Sequence, residues 1–61
     1  MNYREFKNTA LYKDADIVVI QDKNKVEQDI KNYRQIRTKE ILAYETDIDN
    51  DLVIVTLTMD L

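Results

Sequence analysis

Glu45, Asp47 and Asp49 alternate along one stretch of the chain, and Asp51 follows at the same spacing. On an extended strand, that spacing puts the carboxylates on one face, about 6.7 Å apart, twice the rise per residue. A regular row of anions can imitate a phosphate backbone. Acting as such a DNA mimic, it would occupy a basic groove on another protein and gain electrostatic steering on the way in. The plainer role is solvation: the same charges keep the outer side of a hairpin in water and discourage edge-to-edge aggregation. These four residues are the candidate partner-binding set. The run Asp47-Ile-Asp-Asn-Asp51 also opens like a calcium loop. Leu52, however, stands where that loop needs Gly, and Thr58 stands where it needs a bidentate Glu. Neither a metal nor a cofactor is expected.

The opposite charge gathers elsewhere. All nine Lys and Arg residues lie within the first 39 positions, which sum to +3, whereas residues 40–61 carry six acids and no base, giving a net charge of −3. Such a dipole bears on partners rather than on fold. Lys31, Arg34, Arg37 and Lys39 form the alternative candidate set, for nucleic-acid contact. Against that reading, Tyr33 belongs to an apolar stripe, Glu27 interrupts the basic side chains, and the overall charge is negative. The basic segment of one copy meeting the acidic hairpin of another is a further use of the dipole.

Chemistry of other kinds has little to work with. Ser, Cys and His are all absent, so the usual nucleophiles and the usual base are missing. A chain of 61 residues also has little room for a pocket that excludes water. The expectation is therefore a non-enzymatic protein. One domain, 1–61, is all this length allows, and it buries only about 60% of the surface of its unfolded chain. Small domains supplement such a core with disulfides, zinc or association, and without Cys or His only association remains. A homo-oligomer, first of all a dimer, is expected. No apolar run, Ile17–Ile20 included, is longer than four residues, too short for a membrane span or a signal-peptide core, so the cytoplasm is the default expectation.

Positioning the acidic row requires a hairpin. Residues 41–48 and 52–59 are rich in β-branched and aromatic side chains, and Asp49-Asn50-Asp51 lies between them. A two-residue loop at Asn50-Asp51 sets Ile48 opposite Val53, Thr46 opposite Val55, Tyr44 opposite Leu57 and Leu42 opposite Met59. One face is then almost wholly apolar and the other carries the acids, a pattern that a one-residue slip would destroy. Asn and Asp supply the positive φ angles that a tight turn usually takes from Gly.

A helix is expected over about Lys25–Thr38. Asn24 and Glu27 fit a capping box, Val26, Ile30, Tyr33 and Ile36 recur at helical spacing, Glu27 and Lys31 form an i,i+4 pair, and the late basic residues suit the helix dipole. Ile17-Val-Val-Ile reads as a strand with apolar residues on both faces, which calls for cover beyond the chain itself. The N-terminal stretch has two readings. Asn2 and Glu5 could cap a short helix carrying Tyr3, Phe6 and Ala10, or Thr9–Lys13 could pair with Asp16–Ile20. A weak internal repeat, Asp14-Ala-Asp-Ile-Val-Val-Ile against Asp49-Asn-Asp-Leu-Val-Ile-Val, favours the second. The expected fold is α+β, a small antiparallel sheet with one helix on one face, in the order ββαββ or, as second choice, αβαββ. The helix face Val26, Ile30, Tyr33 and Ile36 would pack on Leu42, Tyr44, Val53, Val55 and Leu57.

The segments Asp16-Ile-Val-Val-Ile, Val26-Glu-Gln-Asp-Ile-Lys-Asn and Thr38-Lys-Glu40 together resemble part of the phage baseplate wedge family with the lysozyme-like label. The Gly-Glu step and the following Pro and Gly of that family are missing, and Lys39 stands at the Gly position, so no residue role is carried across. The resemblance suits a phage or mobile-element protein. The leading expectation is a self-associating interaction module that binds or inhibits another protein through the acidic hairpin. A nucleic-acid-binding regulator and a structural subunit of a larger assembly are the alternatives.

Overall fold

A computed structural model describes all of residues 1–61. It is a small α+β domain: two short helices, α1 (Tyr3–Phe6) and α2 (Ala10–Asp14), then β1 (Ile17–Gln21), a single 3-10 turn at Tyr33–Gln35, and the hairpin β2 (Ile41–Asp49) and β3 (Leu52–Met59). The three strands form one mixed sheet in the order β1-β3-β2, with β1 parallel and β2 antiparallel to β3.

The hairpin forms as its side-chain pattern dictates. Ile48 pairs with Val53, Thr46 with Val55 and Tyr44 with Leu57. Asn50 and Asp51 both have positive φ, 53° and 65°, the type I′ geometry whose twist matches that of the flanking strands. The register departs from expectation at the far end. A bulge between Ile41 and Ala43 places Ile41, not Leu42, opposite Met59. The extra residue turns Ile41 toward the core and leaves Leu42 outside.

β3 is the spine of the domain. Val55, Leu57 and Met59 are fully buried and meet Phe6, Ile20 and Ile36 in a core of six residues. Phe6 arrives on α1, which starts with a complete capping box: the Asn2 side chain accepts the Glu5 N–H, and the Glu5 carboxylate accepts the Asn2 N–H. α2 is capped by the Thr9 hydroxyl, which accepts the Tyr12 N–H. Thr9–Lys13 is therefore helical entry and helix, not a strand; both copies of the repeat run into a strand, β1 and β3, but only the second belongs to a hairpin. The rings of Tyr3, Phe6, Tyr12 and Tyr33 lie 5.6–5.9 Å apart in a tilted chain that roofs this side of the sheet. β1 is pinned to β3 by Asp16, whose N–H donates to the Val53 carbonyl and whose carboxylate accepts the Val53 N–H, at 2.8 and 2.7 Å.

The long helix over Lys25–Thr38 is not formed, and with it falls the ββαββ order. Asp22 captures the segment instead of Asn24: its carboxylate accepts the N–H groups of Asn24 and Val26 and the side-chain amide of Gln28. Lys25 takes φ 64°, a left-handed conformation that ends any helix there. Residues 26–28 then run extended along β1, where the Gln28 N–H donates to the Ile20 carbonyl and Gln21 bridges to Glu27. A fourteen-residue helix rich in Asn, Asp, Val, Ile and Thr is marginal in water unless a face is packed. The core face of β3 is already occupied by α1 and its aromatic rings, so the segment gains more by satisfying the outer edge of β1. Only Ile36 of the proposed stripe is fully buried. Ile30 packs at the core margin, while Val26 is exposed. The Glu27–Lys31 pair is also absent, and Lys31 approaches Asp29 at 4.0 Å on the surface.

Candidate functional site

The hairpin carries its acids where the alternation places them. Glu45, Asp47 and Asp49 pair with Thr56, Ile54 and Leu52 and so share the sheet face opposite Val55, Leu57 and Met59. Asp51 sits in the turn beyond them. None of the three ion pairs in the molecule involves any of these four carboxylates: Met1 pairs with Glu40, Lys23 with Asp60 and Lys31 with Asp29. The acidic row is therefore an exposed charge with no neutralising partner. The acids themselves are exposed, and Ile17, Val19, Ile54 and Thr56 continue this face toward β1.

The other face of β2 is the surprise. Tyr44 and Ile48 point to the core side of the sheet yet are 60% and 69% exposed, and Leu42 is 52% exposed. Leu42 and Tyr44 thus do not belong to the helix–sheet core expected of them. The cause is the missing helix: α1 and α2 cover β3 and β1 but stop short of β2. What remains is an apolar groove of about 560 Å³ running from Met1, Phe6 and Leu11 to Ile41 and Tyr44.

A larger, more polar hollow of about 650 Å³ lies on the β1 side, between Tyr3, Lys7, Gln28, Ile30 and Tyr33. In it the Lys7 ammonium stands 4.3 Å from the centre of the Tyr33 ring, a cation–π contact that fixes the lysine as a structural clamp between α1 and the 3-10 turn. Burial and its neighbouring tyrosines hold the Tyr3 hydroxyl above its ordinary pKa. Neither hollow gathers a nucleophile beside a base, and no group of His, Cys, Asp and Glu is placed to hold a metal ion. No helix is long and apolar enough to cross a membrane.

The alternative basic set loses its scaffold. With 25–38 irregular, Lys31, Arg34, Arg37 and Lys39 no longer share a helix face. They follow a winding surface segment in which the Arg37 and Lys39 carbonyls accept the Arg4 and Tyr3 N–H groups. Sequence reasoning also missed residues that shape the surface. Asp16 and Asp22 act through their own carboxylates on backbone N–H groups, and the Asp-x-Asp spacing before β1 was the only hint of the first. No protein-family model, no curated protein and no solved structure matches this chain.

Proposed function

We propose that this protein is a non-enzymatic interaction module that binds or inhibits another protein through the acidic hairpin. The observation that carries the reading is the exposed row Glu45, Asp47, Asp49 and Asp51 on the hairpin, none of which forms an ion pair. A charge row on a β-hairpin is rigid, so a partner's basic groove meets it without first ordering it, which favours fast, salt-sensitive association. Self-association belongs to the same reading. Six buried residues make a slender core, and the open face of β1 and β3, with Ile17 and Ile54, gains cover when two copies meet.

Charge reversal tests the docking surface. Glu45→Lys with Asp47→Lys abolishes capture of the partner taken from cell extract by the unaltered protein, while Arg34→Glu leaves it intact. The reverse outcome would hand the function to the basic segment. Light scattering on a size-exclusion column at low and high salt reads the self-association, and a monomer under both conditions would remove it.

A further inference from the structure

The two edges of the sheet are treated differently. On β1 the outer groups near Ile20 and Gln21 are taken by residues 26–28. On β2 the N-terminal segment covers only the start: the Tyr3 N–H donates to the Lys39 carbonyl, the Ile41 N–H to the Met1 carbonyl, and Asn2 bridges to Glu40. From Ala43 to Asp49 no segment lies alongside. The hairpin register says which groups this leaves free. A two-residue loop makes Asp49 and Leu52 a hydrogen-bonded pair, so Tyr44, Thr46 and Ile48 fall in the non-bonded pairs and direct their N–H and C=O groups outward. Two contacts agree with this phase. Val53, opposite Ile48, turns both its groups toward Asp16, and the Ile48 N–H is held by the Asp47 carboxylate of its own strand at 2.8 Å.

We propose that this edge accepts an added β-strand: an extended segment of a partner protein in which apolar and basic side chains alternate. The inference rests on the docking function proposed above and specifies its ligand. The apolar side chains of such a segment would lie over Leu42, Tyr44 and Ile48 and enter the groove beside them. The basic ones would fall on the opposite face, beside Glu45 and Asp47. Its carbonyls and N–H groups would pair with Tyr44, Thr46 and Ile48, the last released when a cation engages Asp47. Each of the three features has another meaning alone, but a strand of this alternation answers all of them at once.

A second copy of the same edge does not. Antiparallel pairing with the outward groups in phase sets Glu45 against Glu45 of the other copy, Glu45 against Asp47, or Asp47 against Asp47, and like charges directly opposite are destabilising. The shifted register that would bring Lys39 opposite Asp49 is blocked, because residues 39–41 already pair with Met1–Tyr3.

The test uses a short peptide alternating Val and Lys, N-methylated along one edge so that it cannot pair with itself, and a peptide of the same composition in scrambled order. Binding is read by titration, with amide exchange on the protein. The alternating peptide should bind about tenfold or more tightly than the scrambled one and slow exchange at Tyr44 and Thr46. Thr46→Pro removes one outward N–H without touching the β3 ladder and should cost about tenfold in binding. Should that variant fail to fold, slowed exchange at Tyr44 and Thr46 of the unaltered protein decides the matter. If both peptides bind equally, are lost together on Glu45→Lys with Asp47→Lys and leave those amides unprotected, strand addition is overturned and charge docking stands. If neither peptide binds at low salt, both readings fall.

Discussion

β1 and β2 flank the same central strand, yet one is an inside edge and the other an outside one. β1 contributes Ile20 to the core and is overlaid by residues 26–28, which Asp22 folds back on it. β2 is longer, but it buries no residue completely, Ile41 only in part, and its outer groups stay open from Ala43 onward. The difference teaches that the short segment between the strands serves β1 at the expense of β2. Had it formed a helix across the sheet, Tyr44 and Leu42 would be core residues and the edge of β1 would be bare.

That asymmetry can be broken where it is strongest. Ile20→Ala removes a buried side chain from the β1 half of the core and should cost about 2–4 kcal/mol, whereas Ile48→Ala should stay within about 0.5 kcal/mol. Urea denaturation compares them, and equal losses would mean that β2 is packed after all. The cover itself comes next. Asp22→Ala strips three donors of their shared acceptor and should cost about 1 kcal/mol, with the Gln28 amide exchanging faster while Glu45 and Asp47 on β2 are unaffected.

A smaller effect separates the N-terminal cover of β2 from both. The folded state holds the Tyr3 phenol above its usual pKa, chiefly through burial, so the unfolded chain loses that proton first as pH rises. The stabilisation that Tyr3 contributes should therefore be constant below about pH 10 and be lost above it. Tyr3→Phe, which cannot ionise, should lessen the decline. An unchanged slope in that variant would place the titration elsewhere.

How much of this was legible in the chain depends on which interactions decide each part. The β2–β3 hairpin could be read because its determinants are local and redundant: alternation from Val53 to Met59, acids in phase on the other face, and two residues that accept positive φ. The acidic row was legible for the same reason. The N-terminal capping box of Asn2 and Glu5 is legible too, but the repeat, whose copies lead into β1 and β3, points to a hairpin that only the second copy forms. Residues 25–38 misled because their helical spacing is genuine while the surface it would pack on is taken. The competition between Asp22 and Asn24 for the same backbone N–H groups, and the claim of Ile36 on the core, are settled only once α1 and β1 are in place. The bare edge of β2 is further from the sequence still, since it is defined by what fails to lie beside it.

Residue-resolved amide hydrogen exchange of the free protein at low concentration tests this picture of β2 most directly. Protection should alternate along the strand: Glu45 and Asp47 slow, because their N–H groups pair with β3, and Tyr44 and Thr46 fast, because theirs face water. Uniform slow exchange from Ala43 to Asp49 would mean that another segment already occupies the edge and would contradict the account.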